Sequence, residues 1–367
     1  MSTSPWPPFP TRWRGCGRAD QVFRVLAAMS GGVDSSVAAA LLVEQGHDVV
    51  GVTLKLWDNA GPSGCCSVAE IEDARRVAQQ LGIDHWVFTF TDEFEARVVA
   101  PYAAAHSAGI TPNPCVECNR HVKFGRLLRR ARQLGFDAVA TGHHARVDTD
   151  AAGAHHLRRG ADAAKDQSYV LYVLGQAELA GCRFPVGGLG KAGVRAKARD
   201  LGLRTADKPD SQDVCFVTTA GGRQQLLASR IPLHRGRVVD RAGRRVGEVE
   251  AVELVTVGQR RGLGTTGGTT ERRFALSIDP ATATVVTGSL DDLLVDRVNV
   301  AAWHWVGVPA ADGTGVEVQC SAHGAAVPGR VEGSSVVLER PHRRVAPGQG
   351  VVLYRGDEVL GGGVARP

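Results

Sequence analysis

The chain has 367 residues, 43% of them hydrophobic, with 43 basic residues against 38 acidic ones and a formal net charge of +5. That length exceeds the usual size of one hydrophobic core, so two or three domains are expected, and the mild basic excess permits a local basic surface for a polyanion. No apolar stretch approaches bilayer length and the first residues lack a leader's charged-then-apolar order, so a membrane partner is excluded, the cytoplasm is expected, and the eight cysteines are expected to be free, metal-bound or catalytic.

Met1 to Asp20 is proline-rich and aperiodic, and residues 1–22 are expected to form a disordered extension. Val25-Leu26-Ala27-Ala28 then predicts a buried strand, Met29-Ser30-Gly31-Gly32-Val33-Asp34-Ser35-Ser36 a tight loop, and Val37 to Leu42 a helix. Gly31 and Gly32 let backbone N–H groups approach an anion, and Ser35 and Ser36 add hydroxyls where the free N–H groups of a helix start point outward. Neither Gly-x-x-x-x-Gly-Lys-Ser/Thr nor Gly-x-Gly-x-x-Gly occurs. The stretch resembles instead the Ser-Gly-Gly-x-Asp-Ser-Ser loop of enzymes that split ATP between the α and β phosphates and adenylate their substrate.

Further along, Asp48 to Leu56 predicts a second strand, Val68 to Leu81 a helix stopped at Gly82, His85 to Phe90 a third strand and Glu93 to Ala105 a helix. Val122 to Leu134 predicts a helix with Phe124, Leu127, Leu128, Ala131 and Leu134 on one face and Lys123, Arg126, Arg129, Arg130 and Arg132 outward, either a phosphate-binding stripe or a solvated face. Ala138 to Thr141 predicts a strand ending in Gly142-His143-His144. Strands alternating with helices imply a parallel α/β sheet, with ligands beyond the carboxyl ends of its strands. Ala151 to Ala164 is expected to be a surface hairpin leading into Lys165-Asp166-Gln167-Ser168-Tyr169, and Lys191 to Leu201 a helix.

Beyond Thr218 the pattern changes to short alternating runs between Gly, Asp and Pro turns: Gly236 to Asp240, Val252 to Val257, Phe274 to Ile278, Val295 to Val300, Gly315 to Cys320, Gly329 to Val331, Ser335 to Leu338 and Gly350 to Leu353. The last five suggest a small closed antiparallel barrel. The expected division is a catalytic α/β domain over 23–217, a small β-rich domain over 218–290 and a barrel over 291–367.

Two cysteine neighbourhoods could carry chemistry. Cys115-Val116-Glu117-Cys118 follows two prolines directly before a helix, where the helix N-terminus with Arg120 and Lys123 lowers a thiol pKa. A zinc knuckle, a redox pair and a catalytic set with a distant cysteine all fit this spacing, although Cys65-Cys66 is a poor second zinc pair. Cys215 lies in the polar stretch Asp210-Ser211-Gln212-Asp213, against the alternative of a buried inert thiol.

In order along the chain, Ser30 to Ser36, Thr111 to Phe124, Thr141-Gly142-His143, Lys165 to Tyr169, Phe184 to Gly187 and Asp210 to Phe216 resemble the tRNA-specific 2-thiouridylase family. So do Gly258-Gln259-Arg260-Arg261-Gly262-Leu263-Gly264, Pro347-Gly348-Gln349 and Leu360 to Gly363. The resemblance implies ATP, with Mg2+, at Ala28, Met29, Ser30, Gly31, Gly32, Val33, Asp34, Ser35, Leu54 and Gly142. It implies tRNA contacts, through the anticodon arm, at Asn113, Pro114, Cys115, His143, Lys165, Asp166, Gln167 and Gln349. It also implies a persulfide on Cys215, Cys118 as its partner thiol in a disulfide, and a cysteine desulfurase or relay protein as sulfur donor.

Two departures stand out: Cys115 occupies a position where many relatives carry an aspartate proposed as general acid/base, and an arginine-tyrosine pair of some relatives is replaced around Ala322-His323-Gly324. Cys115, Cys118 and Cys215 together could hold a [4Fe–4S] cluster with one open iron. The competing readings are another adenylating ligase such as a tRNA lysidine synthetase, and a zinc-stabilised RNA-binding protein with a vestigial ATP loop.

Overall fold

The computed structural model describes residues 22–57, 67–210, 214, 216–217, 222–264 and 272–367. The expected N-terminal extension up to residue 21, and Cys65, Cys66 and Cys215, lie outside the described residues.

The first domain is a five-stranded parallel sheet in the spatial order His85–Thr89, Asp48–Lys55, Arg24–Ala28, Ala138–Ala140, Cys182–Arg183. The order reverses at Arg24–Ala28: the chain adds Asp48–Lys55 and His85–Thr89 on one side of it, then crosses to add Ala138–Ala140 on the other. A crevice therefore opens beyond its carboxyl end, where ligands of such sheets bind. Apolar side chains fill both faces: Leu26, Val52 and Val139 pack toward Phe94, Val122 and Leu127, while Val25, Ala27 and Val49 pack toward Val37, Val77 and Val194. Strands buried on both faces explain the unbroken apolar runs in the sequence.

Several boundaries move. One helical run covers Thr91–Phe94, Glu95–Val99 and Ala100–Ser107. A second begins at Pro114–Glu117 and continues through Cys118–Arg126 and Leu127–Gln133, so Cys115 and Cys118 lie inside the first turns of a helix expected to start at Val122. Asn113 explains the earlier start: its Oδ1 accepts from Cys115 N at 3.0 Å, and Pro114 at the first helical position needs no donor. The expected face of that helix holds, with Phe124, Leu127, Leu128 and Ala131 buried. The hairpin straddles the predicted segment, its arms being Ala145–Thr149 and His155–Arg159. Val252 to Val257 is no strand: Val252–Leu254 is a helical turn with Glu253 buried at its centre, where the carboxylate accepts from His234 N at 3.0 Å and pairs with His234 Nδ1 at 2.7 Å.

The central unit is a four-stranded sheet ordered Phe274–Asp279, Thr284–Gly288, Gly236–Val239, Arg245–Val249, with one parallel pair in the middle. The C-terminal unit is a closed antiparallel barrel of six strands, Leu294–Trp305, Ser335–Arg343, Val327–Glu332, Gly315–Gln319, Gly350–Arg355 and Glu358–Ala365, closed by pairing of the first with the last. Val298, Val318, Val336, Val351 and Leu353 fill it.

The first domain's hairpin extends this barrel sheet through Glu358 opposite Arg158. Arg146 and Arg158 clamp Asp357 at 2.9 and 2.7 Å, and a shared core of Leu157, Tyr169, Tyr172, Phe184, Tyr354 and Val359 runs beneath. First domain and barrel are thus one packed body.

Candidate active site

The loop after Arg24–Ala28 is held from below and from within. Met29 N donates to the Val52 carbonyl at 2.8 Å, and the Met29 carbonyl accepts from Thr53 Oγ1 at 2.7 Å. Gly31 sits at φ +75°, and a Cβ there would lie 2.4 Å from the Glu70 carbonyl oxygen, so only glycine fits. Ser35 and Ser36 hydroxyls donate back to the Gly32 carbonyl at 3.1 and 2.8 Å, and Ser30 N donates to Ser35 Oγ at 3.1 Å. No side chain caps the helix Val33–Glu44, whose first N–H groups face the crevice mouth. That is an anion cradle made of backbone. Gly142 closes its far side, where a Cβ would lie 2.6 Å from Ser35 N. Leu54 is buried at the carboxyl end of Asp48–Lys55, in the apolar core beside the crevice.

Charge gathers at this loop. Lys191 Nζ donates to both oxygens of Asp34, at 2.8 and 2.7 Å, and lies 2.9 Å from Asp210 Oδ1. His144 Nε2 is 3.1 Å from Asp34 Oδ1. Burial pushes the Asp34 carboxyl up, yet its hydrogen bonds with His144 and Lys191 outweigh burial and leave it below the ordinary range. Asp210 also accepts from Lys165 Nζ at 2.8 Å and Arg195 at 2.7 Å, while Lys208 Nζ donates to the Gly31 carbonyl and to Asp73, both at 3.0 Å.

Lys191, Lys208, His144 and Asp73 were not singled out from the sequence. One signal was present: Lys191 opens a helix, where its charge opposes the macrodipole and calls for an external partner.

The second cluster surrounds the start of Pro114–Glu117. Cys115 is half-buried and Cys118 buried, one turn apart. The approach is pinned to both β units: Thr111 N donates to the Pro347 carbonyl at 2.8 Å, Gln349 Nε2 donates to the Thr111 carbonyl at 2.6 Å, and Thr111 Oγ1 lies 3.4 Å from Thr256 Oγ1. Gly348, at φ +93°, lets the barrel loop pass Ile110.

Phe216, the neighbour of Cys215, is buried with its ring 5.7 Å from Tyr102 and 5.5 Å from Phe94. Burial pushes the Tyr102 hydroxyl up, Arg223 pulls it down, and the charge of Cys115 pushes it up again. Phe216 thus packs against a tyrosine whose hydroxyl also feels the charge of Cys115. Among the described residues no group of three or more His, Cys, Asp or Glu side chains is placed to hold a metal, and the third thiol of the expected cluster, Cys215, lies outside them.

The remaining expected contacts divide. Lys165 reaches the Asp34–Lys191–Asp210 network through Asp210. Asp166 is turned inward, bonded to Arg159, Gly160 N and Ser168, and Gln167 Oε1 accepts from His144 N at 2.9 Å, which holds that histidine's backbone. His143 is buried against Phe124 and Phe184, with Nδ1 2.7 Å from Thr141 Oγ1, and burial holds its pKa well below the usual histidine value.

Comparison with known proteins now bears on this geometry. Residues 23–219 match the profile described as tRNA methyl transferase HUP domain, 224–289 the tRNA methyl transferase PRC-barrel domain, and 295–365 the aminomethyltransferase beta-barrel domain. A tRNA-specific 2-thiouridylase of Chloroflexus aurantiacus is 48% identical over 94% of this chain and 98% of its own length. The chain belongs to the tRNA-specific 2-thiouridylase family. The corresponding 2-thiouridylase of Acidothermus cellulolyticus is 46% identical over 92% of this chain and 96% of its own. The profile descriptions say methyl transferase and the relatives say thiouridylase; relatives aligned over nearly their whole length are the more specific, so this 2-thiouridylase family member is a tRNA-thiolating enzyme with an α/β first domain. A U34-tRNA thiolase of Methanococcus maripaludis, at 18% identity and TM-score 0.37 over 59% of this chain and 68% of its own, is too loose a likeness to inform the site. No helix among the described residues is long and apolar enough to cross a membrane.

Proposed function

We propose that the enzyme adenylates the 2-oxo group of the wobble uridine in the tRNA anticodon arm and replaces it with sulfur carried as a persulfide on Cys215. The observation that carries this reading is the uncapped, glycine-lined helix start at Ser30–Ser35 facing a lysine-carboxylate network across the switch-point crevice. It offers backbone donors for the phosphates of ATP, and Lys191 and Lys208 as movable cations.

A urea-like carbonyl is a poor electrophile until its oxygen becomes a leaving group. The uridine oxygen attacks the α-phosphorus and pyrophosphate departs, its charge met by the helix start and Lys208. The terminal sulfur of the Cys215 persulfide then attacks C2, and AMP leaves with the former oxygen. Cys118 as thiolate attacks Cys215 Sγ, which breaks the sulfur–sulfur bond, frees the thiouridine and leaves a Cys118–Cys215 disulfide for an external dithiol to reduce. A cysteine desulfurase or relay protein reloads Cys215, in the cytoplasm where tRNA is modified.

Asp34 and Asp210 are the hard oxygen donors at the loop that fit Mg2+ accompanying ATP. Cys115, where many relatives carry an aspartate, is a third thiol one helical turn from Cys118; no step here runs through a cluster. Asn113, Pro114, Cys115, Lys165 and Gln349 form the tRNA-facing rim, with His143, Asp166 and Gln167 shaping it from beneath.

The test is mass spectrometry of tRNA from cells lacking the gene, complemented with wild type or Cys215→Ser. Wobble 2-thiouridine should vanish and return only with wild type, while Cys215→Ser retains tRNA-dependent pyrophosphate release. Undiminished thiouridine in the deletion overturns the function, and a persulfide mapped to another cysteine overturns the role of Cys215.

A further inference from the structure

A pocket of about 250 Å³ opens where the central sheet meets the barrel, lined by Gly258, Arg260, Arg272, Phe274, Leu290 and Arg343. Its three arginines come from three separate stretches: the Gly258 turn, the approach to Phe274–Asp279, and the end of Ser335–Arg343. All three are exposed, and among the described residues none forms an ion pair with a carboxylate. Other arginines of the β units meet carboxylates, among them Arg235 with Glu250, Arg241 with Asp292 and Arg297 with Glu332. Three like charges around so small a volume repel one another unless an anion joins them. The wall between them is apolar, with Phe274 buried beneath the Arg343 guanidinium, 5.8 Å from ring centroid to Cζ, and Leu290 40% exposed.

The pocket's position decides what the anion is. Gly258 is two residues, at most about 7 Å of chain, from Thr256, whose hydroxyl lies 3.4 Å from that of Thr111. Arg343 is four residues from Pro347, which holds Thr111 from the other side, within about 14 Å. The pocket thus continues the seam on which the Cys115–Cys118 helix start is mounted.

We propose that this pocket binds the sugar-phosphate backbone of the substrate tRNA, with the arginines on consecutive phosphates and Leu290 against the adjoining nucleoside. The proposal rests on the tRNA-thiolation reading and adds a site to it. Arginine suits the task because its planar fork takes two phosphate oxygens at once. A place on the seam beside the Cys115–Cys118 helix start, away from the Ser30–Ser36 loop, favours a strand of the substrate over a free nucleotide. The pocket positions RNA and takes no part in the chemistry.

The test titrates the full chain with labelled substrate tRNA by fluorescence anisotropy between about 50 and 200 mM salt, where phosphate contacts reveal themselves in the slope of log Kd against log salt. Replacing all three by glutamine (R260Q, R272Q, R343Q) should weaken binding on the order of tenfold and flatten the slope by about 2, from roughly 0.7 for each single-strand phosphate contact. KM for tRNA should rise while kcat at saturating tRNA stays within about twofold. The triple lysine variant should keep the slope, and single glutamine variants, which leave no carboxylate unpaired, should each take about a third of the effect. An unchanged slope in the triple glutamine variant overturns the proposal. So does loss of ATP or inorganic phosphate binding by calorimetry with the tRNA slope intact, which marks a small-anion site. Wild type that binds no tRNA at all overturns the thiolation reading and this site with it.

Discussion

The nucleotide loop and the seam between the β units both gather cations, and they hold them in opposite states. At the loop, Lys191 is 13% exposed and locked between Asp34 and Asp210, and Lys208 is tied to Asp73. At the seam, Arg260, Arg272 and Arg343 line a pocket with no carboxylate among them. The first arrangement pairs its cations with carboxylates already in place, so on the proposed reading an arriving polyphosphate must exchange partners with them. Such exchange selects for ligands that supply their own metal and geometry. The second is neutralised only by what binds, so its strength follows ionic strength and it accepts any strand of the right charge and reach. On the proposed readings, specific chemistry and sequence-tolerant docking are separated by how each cation is paired.

Breaking the paired side should give the largest effect. Lys191→Met is expected to lower tRNA-dependent pyrophosphate release by about 10²- to 10³-fold, the range for losing one preorganised charge contact, with the tRNA Kd within about twofold. It should also destabilise the fold by about 3 kcal/mol, because Asp34 and Asp210 lose their common cation in a partly buried site. Asp34→Ala should abolish the same release yet melt within a few degrees of wild type, since Lys191 keeps Asp210; calorimetry and a pyrophosphate assay check both. A large loss of tRNA affinity in either variant would merge the two regions into one.

Salt sharpens the contrast next. Raising it from about 50 to 200 mM should weaken tRNA binding on the order of 10-fold or more while the Kd for ATP moves less than about threefold, as equilibrium binding at each salt will read.

A smaller effect is set by His106, buried between the first and central domains with Nδ1 3.0 Å from the Glu253 carbonyl. Burial pushes its pKa down to about 4, despite that hydrogen bond. The folded state resists the proton that the unfolded chain accepts below pH 6.5, so stability is whole above about 6.5 and falls as pH drops toward 4. The loss should reach roughly 3 kcal/mol, and His106→Gln should flatten that limb in denaturant titrations across the range. Smallest of all, Arg235→Gln removes a pair with Glu250 whose side chains are 68% and 77% exposed, and should leave the denaturant midpoint unchanged.

The sequence was most informative where one residue type has one conformational use. Gly31 and the Gly82 stop carry their geometry with them, and the parallel sheet followed from apolar runs broken by such signals. It was silent where partners lie far apart in the chain. Nothing local says that Lys191 meets Asp34, 157 residues away, or that the hairpin ending at Arg159 joins the barrel. Val252 to Val257 misled because an apolar run records burial alone, and here a helical turn around buried Glu253 meets that demand. Cys115 and Cys118 were legible as a pair, but their seat inside a helix turn pinned by Pro347, Gln349 and Thr256 depends on domains read later in the chain.

The shared sheet edge also sets a timetable for synthesis. Arg158 leaves the ribosome 199 residues before Asp357, the carboxylate it clamps, and at bacterial-scale elongation rates that interval is about 10–40 s. Throughout it, the edge of His155–Arg159 has backbone donors and acceptors waiting for Glu358, and the arginines at Arg146, Arg158 and Arg159 keep that nascent edge charged. A chain truncated before Glu358 would keep the nucleotide crevice and still present an open, cationic strand edge to the cell.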